Sequence, residues 1–365
     1  MGSRAPLVVT ADDTTGALET AAACADAGWS AVVSTATADG ATGPTAHPVD
    51  LHLFDLHLFD LHLFDLRSRH LPTDEAADRL RAIVERHPGL RAHKIDSTLR
   101  GGWPAEVSAL AHAGRRVLMV PAFPAAGRTC VDGTVLVHGV PVHQTAFGRD
   151  PRSPVTDARP AARIAGASNV RDLAAARAAL AAGARIVIAD AQTDEDVAAL
   201  AAHAAAHPDL VLVGPAAVVT ALVRCLGPDR PPTAPVPVTG RLLVASASRH
   251  PVADEQLAEL EAYGVEVLRP PADARIEDAE LVLAELARAT HERLDADVTI
   301  ATVVVVGGDT TAAVIGDAAV EVEGTLGVGI AVGSVELRGR RLRLVTKPGG
   351  FGAAGTLVDV LQDAL

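Results

Sequence analysis

Aromatic side chains are nearly absent from this sequence, since Phe, Trp and Tyr make up only 2% of its 365 residues. Hydrophobic residues still reach 49% of the chain, and alanine is abundant among them. The chain is therefore expected to bury cores of Ala, Val and Leu between closely packed helices. At this length it can form two domains of ordinary size, each with its own core.

Cysteine and long apolar runs are also scarce. Cys24, Cys130 and Cys225 are widely separated and form no CxxC pair, which excludes both a disulfide framework and a cysteine zinc site. No apolar run approaches the ~20 residues of a membrane-spanning helix, and the N-terminal residues show no signal-peptide pattern. The sequence therefore predicts reduced thiols, a cytoplasmic protein and no membrane partner.

Positive charge is in deficit, because 32 Lys and Arg residues face 45 Asp and Glu residues, for a formal net charge of −13. Nucleic acids and anionic membrane surfaces bind proteins through a positive footprint. The sequence therefore predicts no nucleic-acid partner. An anionic ligand would have to be bound by local cations.

The common nucleotide-binding signatures are missing or incomplete. The sequence contains no GxxxxGK(S/T) loop, which excludes a standard P-loop enzyme. GFGAAG at residues 350–355 matches GxGxxG, but only ten residues follow it. A second strand and a ribose-binding acid would not fit there, so a dinucleotide site is disfavoured.

Two strand–glycine–helix patterns are present near the C-terminal end. Four valines at residues 303–306 predict a strand buried on both faces, and Gly307 and Gly308 end it. Asp309, Thr310 and Thr311 are good N-cap residues for a following helix. Residues 341–346 predict another strand, followed by Lys347, Gly349 and Gly350 and a closing helix at residues 353–365. Glycines that join a strand to a helix N-terminus form a typical phosphate site, although such turns also occur without a ligand.

Asp12 and Asp13 lie between a predicted strand at residues 6–11 and a predicted helix at residues 14–27. The carboxyl end of a parallel strand is where open α/β sheets bind ligands. Acids also stabilise a helix N-terminus by ~0.3 to 1 kcal/mol without any chemistry. Two adjacent acids exceed what capping needs, which favours a functional role.

The densest polar stretch of the first half lies at residues 93–106, where Lys94, Asp96, Ser97, Thr98 and Arg100 occur together. Guanidinium, ammonium and hydroxyl groups are what a small hydroxylated carboxylate requires. The alternative is a solvated loop with an internal Lys94–Asp96 ion pair. The composition favours neither interpretation over the other.

Residues 50–66 are a tandem repeat, with DLHLF three times and then DL. A period of five matches neither a helix nor a strand, so one copy is expected to form a strand and the others an expansion at its edge. The nearby His47, His52, His57 and His62 would point to alternating faces. No metal site is therefore predicted.

Strand and helix patterns alternate along most of the chain, which predicts parallel sheets. A helix is predicted at residues 73–86 with Thr73 as its N-cap, and a hairpin at residues 131–142 around Gly139. Five prolines in residues 227–240 predict a stiff linker. The predicted fold is therefore α/β with two domains at residues 1–226 and 241–365, each with a mostly parallel sheet flanked by helices.

Six segments together resemble the four-carbon acid sugar kinase family, in the family's order and across nearly the whole chain. They are residues 12–17 (DDTTGA), 94–101 (KIDSTLRG), 121–128 (PAFPAAGR), 246–256, 307–310 and 347–352. The chain departs from the family where Ala245 precedes Ser246 in place of the usual glycine. The DLHLF repeat and the short length are further departures. They weaken the assignment of the substrate more than the assignment of the reaction.

The resemblance implies an ATP-dependent kinase for threonate, erythronate or 3-oxo-tetronate, with Mg²⁺ and with the ligand cleft between the two domains. It implies an N-terminal domain that binds the acid through Asp12, Asp13, Lys94, Asp96, Ser97, Thr98 and Arg100. It implies a nucleotide site at Ser246, Ser248, Gly307, Gly308, Asp309, Thr310, Lys347, Gly349 and Gly350. Lys94 and Arg100 would clamp the carboxylate of the acid.

Several alternatives stay open at this point. Asp309 and Asp12 are both candidates for the catalytic base. A non-catalytic protein that binds the acid and the nucleotide is one alternative function, and an NAD-dependent dehydrogenase is a less favoured one. The expected partners are the small-molecule acid and ATP, and the sequence is compatible with a homo-oligomer.

Overall fold

The computed structural model describes residues 6–36, 59–150, 152–227, 231, 234, 235, 237–271 and 278–365. Its main feature is a 14-stranded sheet. The strands that precede the predicted linker are β1 (Leu7–Ala11), β2 (Ala31–Thr35), β3 (Leu61–Asp65), β4 (Leu90–Lys94), β5 (Arg116–Met119), β6 (Arg128–Val131), β7 (Thr134–Val137), β8 (Val140–Pro141), β9 (Ser168–Val170), β10 (Ile186–Ala189) and β11 (Leu210–Gly214). Those that follow it are β12 (Arg241–Ser246), β13 (Glu266–Leu268), β14 (Ile300–Val306), β15 (Val320–Gly327), β16 (Ile330–Leu337) and β17 (Arg340–Lys347).

The strand order is β13-β12-β14-β17-β16-β15-β2-β3-β1-β4-β11-β5-β10-β9, and β6, β7 and β8 form a separate small sheet. All pairs from β2 to β9 are parallel, as are those from β13 to β17. Among the described strands of the large sheet, only the pairs around β15 and β16 are antiparallel, and the small sheet is antiparallel throughout. The predicted α/β class with a mostly parallel sheet is confirmed.

Helices cover both faces of the sheet. They are α1 (Thr14–Asp26), α2 (Thr73–Arg86), α3 (Trp103–His112), α4 (Leu173–Ala181), α5 (Asp194–Ala205), α6 (Ala216–Leu226), α7 (Pro251–Ala262), α8 (Ala279–Ala296), α9 (Gly308–Ile315) and α10 (Thr356–Leu361). Helices α1, α4, α5, α6, α8 and α9 contribute to one core, α2 and α3 to a second, and α7 and α10 to a third. No helix among the described residues has the length and apolar character needed to cross a bilayer.

The valines of β14 explain why a strand of this composition lies inside the sheet. Val303 and Val305 belong to the core on one face, and Val304 and Val306 to the core on the other. All four are fully buried. The prediction of a strand buried on both faces is confirmed, because successive side chains of a strand point to opposite faces.

The two halves of the chain share the large sheet through an antiparallel pair, in which Val320 of β15 lies opposite Val33 of β2. Asp26 at the end of α1 accepts hydrogen bonds from the backbone and the side chain of Thr325 at 3.0 and 2.7 Å. Arg67 donates to the carbonyl oxygen of Gly316. These contacts fix the two halves relative to each other, while the division at residues 227–240 stays a prediction.

The third copy of the DLHLF repeat forms β3, which pairs with both β1 and β2 in the sheet interior. All five of its residues, from Leu61 to Asp65, are buried. One copy does form a strand, as expected. The first two copies, except for Phe59, and His47, His52 and His57 lie outside the described residues, and no cluster of three or more metal-binding side chains occurs among the described ones.

Several predicted boundaries need correction. Thr73 is the first residue of α2, and its N-cap is Pro72. Helix α9 is capped by Gly307, so Asp309, Thr310 and Thr311 lie in its first turns. The closing helix is α10, which is six residues long and much shorter than residues 353–365. The predicted hairpin is part of the three-stranded meander β6–β8, with turns at both Gly133 and Gly139.

All three cysteines are free thiols, as predicted. Cys24 and Cys130 are buried, and Cys225 is exposed. Burial raises the pKa of Cys24 to about 12. This thiol therefore stays protonated at neutral pH, as expected of a core residue.

Substitution of Leu63 tests the interior position of β3. Leu63 is 1% exposed, so Leu63→Ala should lower the free energy of unfolding by ~2 to 5 kcal/mol in urea titrations. Leu281→Ala is the control. Leu281 is 60% exposed, so its substitution should lower the free energy of unfolding by less than ~1 kcal/mol. Equal effects of the two substitutions would contradict an interior position for this copy of the repeat.

Candidate functional site

A cleft of about 840 Å³ lies between the two halves of the chain. Its walls include the loops that follow β1, β3, β4 and β5, the first turn of α9 and the loop that follows β17. Strands β3, β1 and β4 are adjacent and parallel, so the residues after their carboxyl ends meet at one edge of the sheet. This is the edge at which open α/β sheets bind ligands.

Arg69, in the loop after β3, is the centre of an ionic cluster at this edge. Its Nε and Nη2 donate to the two carboxylate oxygens of Asp12 at 2.8 and 3.0 Å. The same Nη2 donates to Asp13 at 2.5 Å and lies 3.7 Å from Asp96. The Arg69 side chain is only 11% exposed, so one guanidinium compensates three carboxylates in a nearly dry environment.

Lys94, at the end of β4, completes this cluster of Asp12, Asp13, Arg69, Lys94 and Asp96. Its Nζ donates to Asp13 at 2.7 Å and to Asp12 at 3.2 Å. A Cβ on Gly16 would lie 1.7 Å from this Nζ. Glycine at position 16 therefore gives the ammonium group its space beside α1.

Asp96 is held mainly by Arg100, whose Nε and Nη2 donate to its two oxygens at 3.0 and 2.9 Å. The same guanidinium donates to Asp150 at 3.3 Å and stacks over the Phe147 ring at 5.4 Å. Thr98 donates its hydroxyl to Asp96. The loop is thus buried and tightly bonded, and the solvated-loop interpretation with a Lys94–Asp96 pair is wrong.

The electrostatics of the ionic cluster follow from competition between burial and ion pairing. Burial alone would raise the pKa of Asp13, but Arg69 and Lys94 outweigh it and lower the pKa to about 2. At Asp96, Arg69 and Arg100 likewise outweigh burial, so the pKa of this carboxyl falls far below its usual value. Burial raises the pKa of Asp12, although Arg69 and Lys94 oppose it. The buried acids therefore depend on their cations.

Helix α9 presents its N-terminus to the other side of the cleft. Gly307 has a φ of +109°, a backbone conformation that favours glycine, and it turns the chain from β14 into the helix. The Oγ1 of Thr310 accepts a hydrogen bond from the backbone of Ala247 at 3.1 Å. Ser246 donates to the carbonyl oxygen of Val306 at 3.0 Å and accepts from the backbone of Ser248 at 3.2 Å. These bonds hold the loop after β12 against the start of α9.

The loop after β17 is organised by Lys347, which is fully buried. Its Nζ donates to the carbonyl oxygens of Pro348 and Gly349 at 2.7 and 3.4 Å. Burial lowers the pKa of Lys347 to about 8. A Cβ on Gly349 would lie 2.2 Å from Ser248 Oγ, and one on Gly350 would lie 3.0 Å from the ring of His250. The glycines therefore allow the two loops to pack closely.

The N-termini of α1 and α9 meet across the cleft. A Cβ on Gly308 would lie 2.4 Å from Thr15 Oγ1, so a larger residue here would displace the Thr15 hydroxyl. Arg152, from the loop after the meander, donates to Asp309 at 2.7 Å. Both side chains of this ion pair are about half exposed, and the pair joins the two walls of the cleft.

The structure brings most of the predicted site residues to this cleft. Those that line it are Asp12, Asp13, Lys94, Asp96, Ser97, Thr98, Arg100, Gly308, Asp309 and Gly349. The others are not part of its lining and belong to the turns behind it: Ser246, Ser248, Gly307, Thr310, Lys347 and Gly350. The roles of all these residues stay predictions.

Sequence reasoning assigned no role to Arg69, Arg152 and Glu19, which also line the cleft, and it noted Arg128 only as part of the segment at residues 121–128. The repeat concealed the strand that Arg69 follows. Arg128 could have been found, because it follows the carboxyl end of the parallel strand β5. Glu19 could not, since an acid in the second turn of a helix carries no such signal. Lys94 and Arg100, expected to clamp a ligand, are already paired with carboxylates of the protein.

Arg69→Met tests the dependence of the buried acids on one cation. The variant should lose ~3 to 5 kcal/mol of unfolding free energy at pH 7, because it leaves carboxylates buried without their partner. The lowered pKa of Asp13 contributes stability above pH ~4 that is lost as the pH falls towards 2. The deficit of the variant should therefore shrink as urea titrations move from pH 7 to pH 3.

The matched control is Arg81→Met, which removes an exposed arginine paired with the exposed Asp78. Exposed ion pairs contribute little to stability, so this variant should unfold like the wild type. A deficit for Arg69→Met that is independent of pH would contradict an electrostatic origin.

Comparisons with known proteins show the family to which the chain is related. Residues 7–222 match the family model described as a sugar-binding N-terminal domain. The chain is 30% identical to a D-threonate kinase of Bordetella bronchiseptica, over 97% of this chain and 96% of that protein. It is 38% identical to a D-threonate kinase of Salmonella typhimurium, over only 42% of each protein.

A solved structure extends the likeness to the fold. A Bordetella bronchiseptica domain of unknown function, described as a domain-swapped dimer with bound citrate, has a TM-score of 0.54 and 26% identity, with 99% of each chain covered. The family model and the full-length similarity to the Bordetella kinase show that the chain belongs to the four-carbon acid sugar kinase family.

Proposed function

We propose that this protein is an ATP-dependent kinase that phosphorylates the terminal hydroxyl of a four-carbon sugar acid. Threonate, erythronate and 3-oxo-tetronate form the acceptor class. The observation that carries the proposal is the shared cleft, in which the ionic cluster of one half faces the N-terminus of α9 in the other. The printed names of the curated relatives support the same reaction class.

The nucleotide side of the cleft suits a triphosphate. Helix α9 is eight residues long and starts at Gly308, so its first backbone N–H groups and its dipole favour an anion there. Gly308 and Gly349 line the cleft without side chains, which lets phosphate oxygens approach the backbone. The buried Lys347 adds a cation that orders the second glycine loop.

Asp309 fits a role in holding Mg²⁺ with the phosphates. Mg²⁺ in phosphoryl-transfer sites is bound by one or two carboxylates together with phosphate oxygens and water. The Asp309 side chain is 56% exposed in the first turn of α9, where the phosphates are proposed to bind. When bound, the ion would neutralise phosphate charge.

The acceptor side supplies polar groups that are already ordered. Asp12, Asp13, Asp96, Ser97, Thr98 and Arg100 line this end of the cleft, together with Lys94 and Arg69. Their ion pairs and the Phe147 contact hold the side chains in fixed positions, which reduces the entropic cost of binding. Hydroxyls of the acid would bond to oxygens of the carboxylates and of the two hydroxyl residues.

The transfer itself requires alignment and removal of one proton. The oxygen of the terminal hydroxyl would bond to the γ-phosphorus as the bond to the β–γ bridging oxygen breaks, and ADP would leave. The hydroxyl proton would pass to a carboxylate. Asp309, at the phosphate end, and Asp12, whose pKa is raised by burial, are the two candidates for this base.

The direct test is ADP release by the purified protein with Mg·ATP and a panel of D- and L-threonate, D- and L-erythronate and 3-oxo-tetronates. Turnover with at least one acid is expected. Binding of ATP and an acid without ADP release would instead favour a non-catalytic binding protein. Absence of ATP binding by folded protein would contradict the kinase proposal.

The same assay tests Asp309. Asp309→Asn should lower kcat by ~10²- to 10⁴-fold if this carboxylate is the base. Asp194→Asn is the matched control, because Asp194 is an exposed acid in the first turn of α5 and lies outside the cleft. Full activity of Asp309→Asn would exclude Asp309 and leave Asp12 as the base.

A further inference from the structure

Glu19 and Arg128 line the same cleft as the ionic cluster but take no part in it. Glu19 lies one turn beyond Thr15 on the same face of α1. Arg128 is the first residue of β6, after the loop that follows β5. Both side chains are half-buried, and burial raises the pKa of Glu19, although the nearby Lys94 and Arg128 oppose it.

The other cations at this end of the cleft are already bound to carboxylates of the protein. Lys94 donates to Asp12 and Asp13, and Arg100 donates to Asp96 and Asp150. Arg69 is shared among three acids. A substrate carboxylate that bound to any of these cations would compete with a buried acid, which is costly.

Arg128 differs from these cations. Its side chain donates to the carbonyl oxygen of Ala126, and no carboxylate of the described residues lies within ion-pair distance of it. A planar guanidinium binds a carboxylate through two parallel hydrogen bonds. Arg128 is thus the arginine of this end that can bind an incoming carboxylate without displacing an acid of the protein.

Glu19 offers the complementary chemistry. No hydrogen bond or ion pair joins its carboxylate to another residue in the part of the chain that the structure describes, whereas Asp12, Asp13 and Asp96 each accept hydrogen bonds from cations of the protein. An ionised carboxylate only accepts hydrogen bonds. Glu19 therefore requires a donor, which a hydroxyl group of a ligand can supply.

We propose that Arg128 and Glu19 bind the 2-hydroxycarboxylate end of the acceptor acid. Arg128 holds the carboxylate, and Glu19 accepts a hydrogen bond from the hydroxyl on the neighbouring carbon. The terminal hydroxyl at the other end of the acid is then free to face α9. This inference rests on the proposed kinase function, and it makes the two residues determinants of acceptor specificity.

Substrate analogues with one group changed provide the test. Arg128→Gln and Glu19→Gln are assayed by ADP release with the preferred acid, with its neutral amide and with 3,4-dihydroxybutanoate, which lacks the C2 hydroxyl. Arg128→Gln should raise KM for the acid by ~10- to 100-fold and leave KM for the amide nearly unchanged. Glu19→Gln should lower kcat/KM for the acid by ~10-fold and have little effect with the analogue that lacks the C2 hydroxyl.

Controls separate recognition from folding and from general charge effects. Arg171→Gln and Glu85→Gln change exposed residues outside the cleft and should behave like the wild type. Arg128→Lys keeps the charge but cannot form two parallel hydrogen bonds with a carboxylate. Its KM for the acid should therefore lie between those of the wild type and Arg128→Gln. KM for ATP and the melting temperature should stay the same in all variants.

Equal losses with the acid and with both analogues would overturn the inference, as would an unchanged KM for the acid in Arg128→Gln. Wild-type protein that releases no ADP with any acid would contradict the kinase proposal instead. In that case calorimetric titration of the acids into the same variants decides the inference. Binding that weakens only when Arg128 or Glu19 is changed supports it, and no binding to the wild type overturns it.

Discussion

Compensation of buried carboxylates by Arg69 and Lys94 is the interaction on which the acceptor side of this site depends. Three acids come together because adjacent parallel strands end at one edge of the sheet, and burial would keep them from ionising. Arg69 reaches all three acids, and Lys94 bonds to Asp12 and Asp13. The cost of this arrangement is that these cations are occupied before any ligand arrives. We therefore propose that a cation outside the cluster binds the carboxylate of the acid.

Close backbone approach organises the side of the cleft that is proposed to bind the nucleotide. Gly308 permits α1 and α9 to meet N-terminus to N-terminus, and Gly349 permits the loop after β17 to pack on Ser248. The shared sheet holds these turns opposite the ionic cluster through the β2–β15 pair. The cleft thus has one wall made mainly of backbone, where the phosphates are proposed to bind, and a polar wall made of side chains. This combination is suited to phosphoryl transfer, which needs alignment and charge neutralisation more than covalent catalysis.

Local patterns in the sequence predicted the α/β class, the buried valine strand and the glycine turns, because each depends on neighbouring residues. The partners of Lys94 could not be predicted, since Asp12 lies 82 residues away and the sequence placed Asp96 much closer. Arg69 was missed because its role appears only when β3 takes its place beside β1. The repeat concealed that strand, since nothing local distinguishes its third copy from the first two. The N-cap of α9 is Gly307, and not Asp309, Thr310 or Thr311 as predicted, because the turn requires a positive φ.

A crystal structure of the protein with a non-hydrolysable ATP analogue, Mg²⁺ and the preferred acid would show whether one cleft holds the acid against the phosphates at α9. We expect the γ-phosphate at the N-terminus of α9 and the terminal hydroxyl oxygen of the acid ~3 to 3.5 Å from its phosphorus. An acid bound away from the ionic cluster, or phosphates bound away from Gly308 and Gly349, would rule out this arrangement.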